Sequence, residues 1–385
     1  MLDPRFREAL RSLLAEAETP FYAYDLAAIE AQAERLRKAF PGVRFFYAVK
    51  ANPRLFLLRF LREKGFFAET VSLGEVFRAY RAGFLPDEVL LNGPVKPPRV
   101  LAALAGAGVP YLGVDSMAEL ERIAHHLPGA RILLRVNPDL PVSTHPHLAT
   151  GKGESQFGML PDAIPEAARR AKGLGLELTG LHLHLGSALS RPEDFEAGYR
   201  VIEELLDALG PLPVVDLGGG FGLDLDLGGL SHRVGAFRKR AGEVWLEPGR
   251  FLVARAGVLV TRVWGEKRTR RRYLLLDAGM SHFLRPALYG ARPPVLPLYE
   301  AEEEAVYDLA GPACESTDVL ARDVRLPVPK EGDAVALLEA GAYGSSMASP
   351  YLDTPHPAEY VWDGERWHLI RERGRYPERF SGERL

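Results

Sequence analysis

The chain has one cysteine, Cys314, in 385 residues. That excludes an intramolecular disulfide and any zinc site built on several thiolates. Charge of one sign is not in surplus: 51 acidic residues against 48 basic ones leave a net charge of −3, so no polyanionic partner is implied. No apolar run is long enough to span a bilayer. No N-terminal stretch joins a basic start, an apolar core and a small-residue cleavage site, so a cytoplasmic location is expected. Nucleotide signatures are missing as well. No Walker A motif occurs, and the run Gly218-Gly219-Gly220-Phe221-Gly222 has Leu223 where the dinucleotide fingerprint needs glycine. Asparagine and glutamine are scarce, arginine far outnumbers lysine, and there are 30 prolines. Heat-adapted proteins and GC-rich genomes share that bias, which does not separate them.

What remains is an ordinary globular composition, 47% hydrophobic and 26% charged, in a chain long enough for a large domain and a smaller one. From about residue 40, short apolar runs alternate with helix-patterned stretches. Strands are expected at 45–50, 66–72, 89–93, 111–115, 132–137, 178–186, 214–220 and 244–250, with helices at 74–82, 117–126, 161–173 and 192–209 between them. Eight strand-then-helix units match a (β/α)8 barrel in number and length. A doubly wound sheet usually carries a glycine-rich turn after its first strand, and Ala51-Asn52-Pro53 is not one. Past about residue 255, helical patterning nearly stops and short β-rich runs appear at 273–276, 334–338 and 359–362. The reading is a barrel over 26–255 and an all-β second domain from 1–25 and 256–385. In that second domain, 1–17 form a helix with Phe6, Leu10, Leu13 and Leu14 apolar, and the run 21–24 pairs into its sheet.

A barrel places functional residues at the C-terminal ends of its strands. Lys50 ends an aromatic run, Phe45-Phe46-Tyr47-Ala48-Val49-Lys50. Burial there would lower its pKa and suit it to Schiff-base chemistry with pyridoxal phosphate; the plainer reading is a lysine reaching to water. The glycines 218–220 would let backbone N–H groups converge on a phosphate, or form only a permissive turn. In Glu247-Pro248-Gly249-Arg250, the carboxylate would hold a pyridinium nitrogen and the arginine a phosphate or carboxylate; otherwise they form a surface ion pair. In His182-Leu183-His184-Leu185-Gly186-Ser187, an imidazole would stack on a flat cofactor with Ser187 on its phosphate. The same histidines also read as core residues, or as a metal pair with no evident third ligand. His145 and His147 make a weaker metal pair. Cys314 is by default a small buried hydrophobe, yet between Ala313 and Glu315 in a turn it is also a candidate acid or reactive thiol.

Together these pieces resemble the barrel-fold, pyridoxal-phosphate-dependent amino-acid decarboxylases of ornithine, arginine, diaminopimelate and carboxynorspermidine. The matching motifs are F-Y-A-V-K-A-N-P, V-D-S-x-x-E-L, R-V-N-P, H-L-H-L-G-S, D-L-G-G-G-F-G, E-P-G-R, D-A-G-M, R-P-A-L-Y, G-P-A-C-E-S-T-D and G-A-Y-G-S-S-M-A-S, in family order. The resemblance implies that Lys50 carries pyridoxal phosphate and that His184 stacks on it. It implies that Ser187, Gly219, Gly220 and Arg250 hold the phosphate with Tyr343 nearby, and that Glu247 meets the ring nitrogen. It also implies a homodimer with shared sites, in which Cys314 is the proton donor and Glu315 reaches the partner's site. Within the family the chain is most similar to the diaminopimelate decarboxylases, which yield lysine. Arg285, Tyr289 and Glu315, with Arg250 and Tyr343, would then bind substrate, and no metal is expected. Glu69 stands where the family usually has Asp, Gln156 where it has Lys, Pro350 and Leu352 where it has Asn, and Gly93-Pro94-Val95-Lys96 differs from G-N-N-K. The alternatives are a sister decarboxylase, acting on another diamino acid, a siderophore or polyamine precursor such as carboxynorspermidine, or a carrier-bound amino acid, and an inactive regulatory homologue.

Overall fold

The computed structural model describes residues 2–140 and 155–384. The chain divides into two compact units, Ala33–Phe251 and Met1–Gln32 with Leu252–Leu385. The first division falls inside the helix Leu26–Ala39.

Strand β1 (Phe21–Asp25) belongs to the unit formed by the two chain ends. The other unit holds β2 (Arg44–Ala48), β3 (Phe67–Thr70), β4 (Val89–Leu91), β5 (Tyr111–Val114), β6 (Arg131–Val136), β7 (Glu177–Leu183), β8 (Leu212–Asp216) and β9 (Ala241–Leu246). These eight strands close in sequence order, with β9 parallel to β2, into a (β/α)8 barrel. Several stop short of the expected ends. The apolar text runs on past Asp216, but Gly218 at φ +69° and Gly220 at φ +86° leave extended geometry and end the ladder. Lys50 likewise lies beyond its strand, in the 3-10 turn Val49–Ala51.

The barrel is plugged by Phe46, Leu90, Leu133, Val214 and Trp245, with Phe67 and Tyr111 packed against them. The Phe46 and Trp245 ring centroids are 4.4 Å apart. Side chains two apart on a strand share a face. One step toward the C-terminal ends, the inward positions are therefore Ala48, Glu69, Asn92, Gly113, Arg135, Asp216 and Glu247. His182 joins them from β7. Glu69, Asn92, Arg135, His182, Asp216 and Glu247 are all buried. An apolar plug thus gives way within one pleat to a polar layer. Such burial is unfavourable unless the groups satisfy one another, so the layer marks where function lies.

Beside this layer sits a fully enclosed ion pair. Lys96 Nζ donates to the carbonyls of Gly93 (2.6 Å) and Gly113 (2.5 Å) and to Glu119 Oε1 (3.0 Å). Glu119 Oε2 accepts the Asp115 N–H at 2.9 Å. The pair ties β4 and β5 to the helix Met117–His126. Lys96→Met would leave Glu119 buried without its cation and is expected to destabilise the fold by about 3–5 kcal/mol. Urea unfolding of the two proteins measures this, and an unchanged midpoint would contradict it.

The second unit adds β10 (Gly257–Arg268), β11 (Arg272–Leu276), β12 (Val295–Pro297), β13 (Glu304–Ala310), β14 (Val319–Pro327), β15 (Ala334–Leu337), β16 (Ala358–Trp362) and β17 (Trp367–Arg371). With β1 they form a nine-stranded mixed sheet. β1 lies between antiparallel β10 and parallel β16, which is why the N-terminal strand belongs with the C-terminal half. The helix Pro4–Glu16 starts at Asp3, whose carboxylate caps the Arg5 and Phe6 N–H groups. Its Phe6, Leu10 and Leu13 pack with Phe21, Val258, Val260 and Ala336, and Leu14 is partly buried against them.

Candidate active site

At the barrel's C-terminal end, Lys50 Nζ is 2.8 Å from Glu69 Oε2. The Lys50 side chain is about one-third exposed, whereas Glu69 is enclosed. Sequence reasoning made burial the cause of this amine's reactivity. The structure instead gives it a carboxylate neighbour, whose own pKa burial pushes up to about 7 despite Lys50.

Three glycines follow β8 because nothing larger fits. A Cβ would lie 2.1 Å from the Leu183 carbonyl oxygen at Gly218, 2.1 Å from that of Glu247 at Gly219, and 2.2 Å from that of Gly186 at Gly220. The loop is knitted to its neighbours: Gly218 N–H donates to Asp216 Oδ1 (2.9 Å) and Gly219 N–H to His184 Nδ1 (3.4 Å). His184 follows β7, and its enclosed setting together with Lys50 pushes its pKa down to about 3. The ring is therefore an uncharged plane at neutral pH. Arg250 opens a short helix after β9 and donates from Nη2 to Ser187 Oγ at 3.2 Å.

Glu247 is the centre of the polar layer. Its Oε1 accepts from Asn92 Nδ2 at 2.5 Å, and its Oε2 lies 3.5 Å from His182 Nε2. Burial alone would raise its pKa, but His182 and Lys50 outweigh that and hold it below the usual carboxylate range. Asp216 is driven the opposite way, well above its ordinary value, by burial and by Glu247 itself. The two carboxylates are thus driven in opposite directions, Glu247 toward its ionised form and Asp216 toward its protonated one. The ligand atoms of His182, Asp216 and Glu247 lie within 4.8 Å of one another. His182 thus has two carboxylate neighbours that the sequence did not reveal when it was paired with His184. His145 and His147 lie outside the described residues.

The other unit carries the remaining expected residues on a loop, a short helix and the turn after β15. Asp318, buried, accepts the N–H groups of Met280 (2.6 Å) and Ala313 (2.7 Å). A Cβ at Gly279 or Gly311 would lie 2.7 or 2.4 Å from its carboxylate, which accounts for both glycines. The loop so pinned presents Cys314 and Glu315 at the surface. Cys314 is therefore an exposed thiol and not a buried hydrophobe. Tyr351 OH donates to Glu315 Oε1 at 2.6 Å. Arg285 opens the helix Arg285–Tyr289 and donates from Nη1 to the carbonyls of Glu339 (2.9 Å) and Ala342 (3.4 Å). Tyr343 follows at φ +56°, a left-handed conformation that a tyrosine adopts only where its surroundings enforce it.

Residues 26–254 match the family model described as the pyridoxal-binding domain of pyridoxal-dependent decarboxylases. The chain belongs to the pyridoxal-dependent decarboxylases. A curated relative, diaminopimelate decarboxylase of Deinococcus radiodurans, is 46% identical over 95% of this chain and 96% of its own. The enzyme of that name from Archaeoglobus fulgidus is 38% identical over 97% and 94%. The crystal structure of Helicobacter pylori diaminopimelate decarboxylase complexed with L-lysine superposes with a TM-score of 0.91 at 34% identity, covering 97% of this chain and 98% of that one. The barrel of this decarboxylase fits the pyridoxal phosphate its family uses: an amine at the mouth, an uncharged imidazole, a cradle closed to any Cβ and an ionised buried carboxylate. Sequence reasoning missed Asn92, Arg135 and Asp216 of the polar layer. The available signal was a polar residue two places after an apolar one in Leu90-Leu91-Asn92, Leu133-Leu134-Arg135, Val214-Val215-Asp216 and Trp245-Leu246-Glu247. Among the described residues, no helix is long and apolar enough to cross a membrane.

Proposed function

We propose that this decarboxylase acts on meso-diaminopimelate, releasing CO2 and forming L-lysine, as a cytoplasmic homodimer whose protomers complete each other's sites. The observation that carries the chemistry is the buried Glu247 carboxylate, set against Asn92 and His182, in a barrel whose mouth also holds the Lys50 amine. Bound pyridoxal phosphate supplies the sink for the electron pair left when the carboxylate departs as CO2. Lys50 would hold the coenzyme, and must lose a proton to do so. Glu69, at 2.8 Å and with its pKa near 7, is placed to take that proton. Glu247 would keep the ring nitrogen protonated. His184 would lie on the ring face without adding charge. Ser187, Gly219, Gly220, Arg250 and Tyr343 would hold the phosphate, with Arg250 and Tyr343 also near substrate. The proton that replaces CO2 would come from the Cys314 thiol, offered across the dimer. No metal takes part in this reading.

The substrate assignment rests on the relatives' names and on two charges. Arg285 suits the distal carboxylate and Glu315, oriented by Tyr351, the distal ammonium, with Tyr289 alongside. Arg285→Ala is expected to raise KM for meso-diaminopimelate about 10–100-fold with little change in kcat. Steady-state CO2 release measures it, and an unchanged KM would remove the ground for this substrate. One observation favours a sister decarboxylase. Leu352 sits at φ +60°, where an asparagine is tolerated far better than a leucine. CO2 release from diaminopimelate isomers, lysine, ornithine, arginine and carboxynorspermidine decides between the two. Fastest turnover of meso-diaminopimelate is expected, and preference for another amine would transfer the assignment.

A further inference from the structure

Asn92 is buried in the polar layer, and the reaction as described does not use it. We infer that Asn92 is a positioning residue that fixes the Glu247 carboxylate, and so sets how firmly the coenzyme's ring nitrogen keeps its proton. The inference rests on the reading that Glu247 meets that nitrogen.

Four observations carry it. Asn92 lies on the inward face two residues past Leu90, buried, and its Nδ2 is 2.5 Å from Glu247 Oε1. An ionised carboxylate only accepts hydrogen bonds, so the amide must turn its NH2 toward it. The rest of the barrel is shaped to hold it that way. Its Oδ1 faces Gly113, where a Cβ would lie 2.4 Å away, so only glycine admits the amide. The Asn92 N–H donates to the Thr70 carbonyl at 2.8 Å, and Lys96 clamps the carbonyls of Gly93 and Gly113 on either side. Finally, Asn92 Oδ1 has no hydrogen-bond partner among the described residues. A buried acceptor left unmade is unfavourable, so a leucine of similar size would serve packing better. What the amide offers is a donor without charge. A lysine or arginine here would neutralise Glu247 and compete with the ring nitrogen for it. The charged and titratable groups that already face Glu247 are Lys50, Glu69, His182, His184 and Asp216.

The test compares wild-type, Asn92→Leu, Asn92→Asp, Glu247→Gln and Asn92→Leu/Glu247→Gln holoenzymes. It follows kcat and KM for meso-diaminopimelate against pH, the visible spectrum of the bound coenzyme, and thermal unfolding. Asn92→Leu is expected to lower kcat about 10–100-fold with KM within about threefold, to shift the coenzyme spectrum and to stay folded. In the Glu247→Gln background the same change should cost less than about twofold, because the two residues act as one unit. Asn92→Asp, which can donate only while protonated, should work best at low pH and lose rate as pH rises, a limb the wild type lacks. Wild-type kcat and spectrum in Asn92→Leu would overturn the inference. So would losses in both Asn92 variants that are equal at every pH and follow thermal stability. If Asn92→Leu does not fold, the pH profile of Asn92→Asp decides alone. Wild-type activity in Glu247→Gln would overturn the role given to Glu247 as well, whereas a disabled Glu247→Gln beside normal Asn92 variants would overturn only the inference.

Discussion

Lys50→Ala is expected to lower CO2 release from meso-diaminopimelate by at least ~10⁴-fold and to remove the visible absorbance band of the coenzyme-loaded enzyme. The expectation follows from what distinguishes this lysine from the other enclosed one. Lys96 spends all three ammonium protons on two carbonyls and Glu119. It has no lone pair to offer, and its role is to tie strands together. Lys50 is partly open to the barrel mouth, with one carboxylate, Glu69, to which it can pass a proton. Because Lys50 lies in a 3-10 turn beyond its strand, truncating it leaves the ladder intact and the folded protein should survive. Thermal unfolding beside the activity assay checks this. A Lys50→Ala enzyme that keeps its band and a tenth of its rate would contradict the assignment.

Glu247→Gln is expected to lower kcat about 10²–10³-fold while the coenzyme stays bound, the scale seen when one preorganised electrostatic group is removed. The glutamine keeps the size of the side chain and its contact with Asn92, but not the charge. In wild type that charge persists because His182 and Lys50 outweigh the effect of burial. Without it, Asp216 loses one of the groups that raise its pKa and becomes easier to ionise, so part of the buried negative charge would move one strand over. The coenzyme spectrum of Glu247→Gln should then become pH-dependent where the wild type's is flat. Equal kcat and equal spectra would show that the ring nitrogen takes its proton from elsewhere.

All eight barrel strands are legible in the sequence because parallel strands buried on both faces read as continuous apolar runs. The same property hides the site. With both faces apolar, no alternation shows which residues look inward, and the signal left for Asn92, Arg135 and Asp216 is the polar residue that closes each apolar run. The loop residues were easier. Gly218–Gly220, Glu247 and Arg250 sit where chain direction alone puts them at the mouth. For Lys50 the sequence shows the aromatic run but not the neighbour: Glu69 is nineteen residues away in sequence, on the next strand, and only pairing of β2 with β3 brings them together. In the second unit, the buried Asp318 that pins the Cys314 loop was silent for the same reason, since its partners Met280 and Ala313 belong to two separate motifs.

Residue 50 would carry the coenzyme, with Glu247 at its ring nitrogen. Reducing the loaded enzyme with borohydride and mapping the trapped adduct by peptide mass spectrometry tests it most directly. One coenzyme-modified tryptic peptide is expected, spanning Phe45 to Arg54 with the mass on Lys50, and no adduct in Lys50→Ala. An adduct on Lys96 or another lysine, or none in a protein that still releases CO2, would contradict it.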